Sequence, residues 1–180
     1  MKVSRFLCVV FLVHICGTSY ALADPTNLPV RETPIPRTTS GVPHIQIDVE
    51  PVPALSEALL EKVSELPGVE IRQTVVSLPG ALGFWITEDT ALARPEVIVG
   101  GREFAHLHPD GSLHASLSPT LAKKAAEKGW AVSHPWADQR PGWGGFVMIF
   151  TPKNTDELDV VFELVEASYE FVTGLRASSD

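Results

Sequence analysis

Four histidines in the second half of the chain carry the chemistry worth following: His106, His108, His114 and His134. Imidazole exchanges a proton near neutral pH, and it is also the commonest side-chain ligand of transition metals. His106 and His108 stand two residues apart, the spacing that puts two side chains on one face of a strand. The turn that follows, Pro109-Asp110-Gly111, suits a type I turn with a G1 bulge, because proline presets the first corner and glycine accepts the left-handed angle. Such a turn sets His108 opposite Ser112 and His106 opposite His114. One face of the hairpin then carries Arg102, Phe104, His106, His108 and His114, and the other carries Ala105, Leu107, Leu113, Ala115 and Leu117. A two-residue Asp-Gly turn would mix these sets, since a one-residue slip moves every side chain to the opposite face.

The histidine face has three readings. As acid–base groups, His106, His108, His114 and His134 would move a proton, with Arg102 favouring an anionic substrate and no cofactor required. As ligands, His106, His108 and His114 would hold a Zn or Fe ion and leave a position open for water or substrate. As plain surface, they would meet solvent or a covering loop. Gly100 followed by His106-x-His108 echoes half of a cupin metal motif, without the carboxylate that motif expects. The stretch from Lys128 to Trp143 is the natural cover for the face. Together with Phe104 its Trp130 and Trp136 are candidates for contact with a small molecule, since such sites are mostly apolar with a few polar groups.

The elements that must position these residues follow from periodicity. Leu55, Leu59, Val63 and Leu66 recur at helical spacing before Pro67-Gly68 ends the segment. Strands are expected over 69–77, 82–87 and 97–108, where β-branched and aromatic residues run between turn signals. A second helix is expected from Pro119 to Lys128, with Ser118 as its cap and Gly129 as its stop. Phe146 to Phe150 is apolar on both faces, which suits a central strand. Asn154 with Glu157 opens the last helix, whose buried stripe is Leu158, Val161, Phe162, Val165, Tyr169 and Val172. Gly100-Gly101 is the signature of a bulge or close packing. Together these predict a single-domain α+β fold, a mostly antiparallel sheet with about three helices packed on it.

The wider chain narrows the function classes. Its 180 residues carry a formal charge of −8, with Lys+Arg 14 against Asp+Glu 22, so it lacks the clustered positive charge that binds nucleic acid. Lys2 and Arg5 precede the apolar run Phe6 to Cys16, and Ala21-Leu22-Ala23 offers a small-x-small cleavage site. Residues 1–23 therefore read as a signal peptide, because the run is shorter than the roughly 20 apolar residues of a membrane span. A secreted or periplasmic protein without a stable membrane span follows. Both cysteines, Cys8 and Cys16, fall within that segment, so the mature chain has no disulfide. Residues 24–43 carry five prolines and read as a disordered linker, 44–174 as the folded domain, and 175–180 as a tail. Phosphate loops, Gly-x-Ser-x-Gly elbows and His-Glu-x-x-His motifs are absent from the sequence.

Several short motifs in order resemble a known family. Arg102-Glu103-x-Ala105-His106-x-His108, Leu113-His114-x-x-Leu117, Lys128-Gly129-Trp130, His134-Pro135, Pro152-x-Asn154 and Val165-Glu166-Ala167-Ser168 look like the luciferase domain of fungal bioluminescence enzymes and of their bacterial relatives. The fungal enzymes add molecular oxygen to a hydroxypyrone without an obvious organic cofactor. The resemblance implies a small enolic or phenolic substrate, molecular oxygen as partner, and a histidine among His106, His108, His114 and His134 as base. It also implies an enolate stabilised by Arg102. A non-catalytic binding module in the same pocket and a His-ligated metal enzyme are the alternatives.

Overall fold

The structure is a computed structural model that describes residues 27–177. The proposed signal segment and its cleavage site lie outside the described residues. A six-stranded antiparallel sheet forms the centre, in the order β3 (Val69–Gln73), β4 (Leu82–Ile86), β5 (Glu103–Leu107), β6 (Leu113–Ser116), β8 (Phe146–Ile149) and β7 (Ala131–Ser133). Three α-helices accompany it: α1 (Pro53–Ser64), α2 (Pro119–Glu127) and α3 (Thr155–Thr173). A two-stranded antiparallel ribbon, β1 (Arg37–Thr38) with β2 (Gln46–Ile47), lies apart from the main sheet. The fold is α+β. Among the described residues no helix is long and apolar enough to cross a membrane.

The helix ends follow local chemistry. Ser118 Oγ accepts from Leu121 N to cap α2, and Asn154 Oδ1 accepts from Glu157 N at 2.8 Å to cap α3, each satisfying a donor the helix leaves free. Gly174 ends α3 with φ 75°, a left-handed angle that L side chains rarely adopt. α3 lies across β5 and β6 and against α1. Its fully buried Val161, Val165, Tyr169 and Val172 meet Phe84, Ala105, Leu113 and Ala115 in one apolar core. Every apolar residue expected on the second face of the hairpin is buried there, so one side of the sheet is sealed by helices.

Three expectations differ from the structure. The stretch 97–108 is not one strand. Pro95–Val97 is a 3₁₀ turn, and Gly101 turns the backbone at φ 58° before β5 begins at Glu103. The cover segment contains a short strand, β7, that completes the sheet beside β8. Residues 27–43, expected as a disordered linker, run along the domain and are tied to it. Leu28 and Arg31 are 4% and 6% exposed, and Arg31 N donates to Lys128 O at 2.9 Å. The prolines keep this segment extended, but extended chain packs well where an apolar side chain and an arginine find buried partners. Arg31 makes an ion pair with Glu157 at 3.0 Å and donates to Thr151 O at 2.8 Å.

Candidate functional site

The hairpin register is the one the turn residues require. His106 pairs with His114, Ala105 with Ala115 and Leu107 with Leu113, and His108 N donates to Ser112 O at 2.8 Å. Between β4 and β5 the register breaks: Phe84 pairs with Ala105, whereas Trp85 pairs with Glu103. Phe104 is thus an extra residue, a β-bulge that reverses the alternation for the residues before it. Phe104 turns into the core, with its ring 6.1 Å from those of Phe84 and Tyr169. Glu103 takes the place beside His106 that simple alternation assigns to Phe104.

The bulge also removes Arg102 from the face. Its guanidinium donates to the carbonyls of Ile86 at 2.9 Å and Thr87 at 2.8 Å, and to that of Thr90. It braces the loop after β4 instead of facing the histidines. Trp130 is displaced as well: its Nε1 donates to Pro29 O at 2.7 Å, and the Arg31 guanidinium lies over its ring. Phe104, Trp130 and Arg102, expected at the site, are therefore structural neighbours of it. Trp136 lines the pocket, with its ring 5.2 Å from that of His134.

His106, His108, His114 and His134 converge, and His44 joins them from the turn between β1 and β2. All five are buried, between 3% and 5% exposed. They border a cavity of about 210 Å³ that Val42, Val76, Val99, Trp136 and Phe146 help to line. A cavity of ~150 Å³ holds a benzene ring, so this one is sized for a compound of one or two small rings.

Hydrogen-bond partners decide where the ring protons sit. Nδ1 of His106 lies 2.9 Å from Glu103 Oε1. Two facing lone pairs at that distance would repel, so Nδ1 holds a proton. Glu103 is fixed by Thr74 Oγ1 at 2.8 Å and by Val75 N at 2.9 Å. Ser112 Oγ donates to Asp110 Oδ1 at 2.7 Å, which leaves it to accept from His108 Nδ1 at 3.0 Å. The Nε2 lone pair of His108 is buried with no partner among the described residues. Trp136 N donates to His134 Nδ1 at 3.0 Å, so the proton of neutral His134 is on Nε2. His114 bridges the group, with Nδ1 3.0 Å from His106 Nε2 and Nε2 3.2 Å from His44 Nδ1.

Burial is the main reason that His44, His108, His114 and His134 hold a proton less readily than a free imidazole. Desolvation, followed by repulsion from His106, pushes His108 down to about 4. It pushes His134 down to about 3 and lowers His114 and His44 from the ordinary histidine value. Neutral imidazoles are the form that accepts a proton or binds a metal ion. Two groups of three, His106-His108-His114 and His44-His114-His134, each bring one ring nitrogen per residue within 4.8 Å of the others.

The order of these residues along the chain has known counterparts. The family profile described as "Luciferase domain" matches residues 101–168. This stretch is therefore similar to a luciferase domain. The chain is similar to "Luciferase" of Armillaria mellea, 32% identical over 168 residues, covering 82% of this chain and 62% of that protein. It is also similar to "Luciferase" of Armillaria gallica, 30% identical over 167 residues, and of Neonothopanus nambi, 28% identical over 171. The chain covers 62% and 61% of the length of these two relatives, and 82% of its own length is matched in each. No solved structure matches. Within the matched residues 101–168 lie Glu103, His106, His108, His114 and His134; His44 comes from the segment before them.

Sequence reasoning missed His44 and Glu103. The Gly100-Gly101 pair was the available signal for Glu103, because a bulge just before the histidine pair exchanges the faces. His44 had none: it stands alone after Pro43 and reaches the site only through the path of the ribbon.

Proposed function

We propose that this protein binds a small enolic or phenolic compound, of the hydroxypyrone kind, in the histidine-lined cavity and brings it to react with molecular oxygen. The observation that carries this reading is the convergence of five buried histidines on a cavity the size of one or two rings. The name shared by the fungal relatives supports the reaction class.

In the proposed reaction a ring nitrogen of the cluster takes the enol proton, and the unpartnered His108 Nε2 is the lone pair best supported for this. The Nε2–H of His134 donates to the enolate oxygen, the part the sequence assigned to Arg102. The electron-rich carbon then forms a bond to O2. The oxygen is reduced to a peroxide anion as the enolate is oxidised, and the imidazolium returns its proton to give the hydroperoxide. Substrate and oxygen thus combine with nothing left over, and light emission is not part of the proposal. Oxygen uptake by the purified domain with hydroxypyrones tests the reading. Uptake that His106→Ala and His114→Ala both abolish, in folded protein, supports it. Saturable tryptophan quenching by the same compounds without oxygen consumption would replace it with a binding module.

Export to the periplasm or the medium belongs to the same proposal, supported by Lys2, Arg5, the apolar run and Ala21-Leu22-Ala23. A mature N-terminus at Asp24, read by N-terminal sequencing of the exported protein, tests it.

A further inference from the structure

We infer that His106, His108 and His114 form a three-histidine site for one divalent transition-metal ion, bound through His106 Nε2, His108 Nε2 and His114 Nδ1. The three residues come from paired strands and their turn, and one ring nitrogen of each lies within 4.8 Å of the others. The independent observation is His108 Nε2, a buried lone pair with no hydrogen-bond partner among the described residues. An unpaired buried polar atom is costly, and a cation at the centre of the group satisfies it.

The outer partners are those of a metal centre. A ligating histidine donates its other ring N–H to a carboxylate, a carbonyl or a similar acceptor, which fixes its tautomer and aims its lone pair. Here the far nitrogen of His106 faces Glu103 at 2.9 Å. That of His108 meets Ser112, backed by Asp110. That of His114 lies 3.2 Å from His44 Nδ1, which would accept the ring proton once the ion displaces it from the 3.0 Å contact between His114 Nδ1 and His106 Nε2. All three ligands are therefore oriented from behind, by three different groups. The rival set His44-His114-His134 lacks this freedom, because Trp136 N donates to His134 Nδ1 and so locks the ring proton on Nε2 with no acceptor behind the ring to take it. Imidazole donors suit zinc, iron, copper or nickel, and three neutral ligands leave room for water or a substrate oxygen from the cavity.

The inference deepens the proposed reaction and rests on it only for what the ion would do, which is to hold the enolate oxygen and so acidify the enol. His108 then acts as ligand, and the enol proton would pass to water in the cavity instead. Metal binding is measured without turnover, so the two readings fail separately. The test uses protein purified without a histidine tag, stripped with a chelator and titrated with Zn²⁺ or Co²⁺ against a competing indicator. The expected result is one ion per chain, with Co²⁺ giving visible ligand-field bands. His108→Ala should weaken binding by more than the roughly 10–100-fold that loss of an outer partner costs, and Glu103→Gln should fall within that range. His134→Ala should leave the affinity within about threefold of the parent, provided circular dichroism shows each variant folded. Absence of a stoichiometric ion in the parent, or a loss in His134→Ala equal to that in His108→Ala, would overturn the site. A stoichiometric ion in a protein that consumes no oxygen with hydroxypyrones would overturn the reaction and leave the site standing.

Discussion

Glu103 and His106 share one face of β5 although they stand three residues apart, and the carboxylate lies 2.9 Å from His106 Nδ1 with both side chains buried. The bulge at Phe104 creates this pair, and the pair sets the tautomer on which the remaining ring contacts depend. Removing the charge while keeping the shape isolates that role. Glu103→Gln should lower oxygen uptake by about 10–100-fold with folding retained. Unchanged turnover in this variant would show that the carboxylate does not position His106.

Gly83 sits beside that pair on β4 and has no room for a side chain. A Cβ there would lie 2.6 Å from Trp85 Nε1 and 2.8 Å from the Glu103 carboxylate carbon. Gly83→Ala should cost about 1–3 kcal/mol through overpacking, and should also reduce turnover by displacing Glu103. Urea unfolding of the variant, run beside oxygen uptake, measures both; full activity at parental stability would refute the close contact.

Arg102 holds three backbone carbonyls of the loop after β4 and does not face the cavity. Arg102→Ala should lower stability by about 1 kcal/mol, the cost of leaving partly buried acceptors to water. Ligand affinity, read by tryptophan quenching, should stay near the parental value. A large loss of affinity at unchanged stability would restore the enolate-binding role that the sequence assigned to this arginine.

Arg31 tests whether the proline-rich segment belongs to the folded unit. Its guanidinium pairs with Glu157 at 3.0 Å, with side-chain exposures of 1% and 6%. Burial lowers its pKa from the ordinary arginine value, and Glu157 opposes that shift. Arg31→Ala leaves a buried carboxylate without its cation and should cost about 3–5 kcal/mol. Thermal unfolding indistinguishable from the parent would return residues 27–43 to the status of a linker.

Glu166 gives a pH dependence away from the site. Desolvation, with Glu170 and Glu163 adding to it, raises its pKa above the ordinary 4.5. The folded state then holds this proton more tightly than the unfolded chain does. Its contribution to stability is complete below the unfolded pKa and is lost as pH rises through the raised one. Glu166→Gln should accordingly stabilise the protein at pH 7 by up to about 0.5 kcal/mol, the scale of partly exposed substitutions. The gain should vanish near pH 3, and a gain that persists there would point to packing instead of charge.

The hairpin was legible in the sequence because its determinants are local. Pro109 and Gly111 select the turn, the turn selects the register, and the alternation of apolar and polar residues confirms it against a one-residue slip. The caps of α2 and α3 were legible for the same reason, each being a side chain that reaches a backbone donor three residues away. The family resemblance was legible because its short motifs keep their order along the chain.

The company those histidines keep was decided by tertiary structure. A single extra residue at Phe104 moved Phe104 and Arg102 off the face and brought Glu103 onto it, and a bulge depends on the register of the neighbouring strand β4. His44 arrives from a ribbon more than sixty residues away in sequence, held by a path that no periodicity encodes. Trp130 and Trp136 look equivalent in the sequence, yet only Trp136 lines the cavity, since Pro29 and Arg31 claim the other. Residue types and spacing settled which groups can do chemistry. Long-range packing settled which of them are buried together, and burial is what gives their ring nitrogens one shared target.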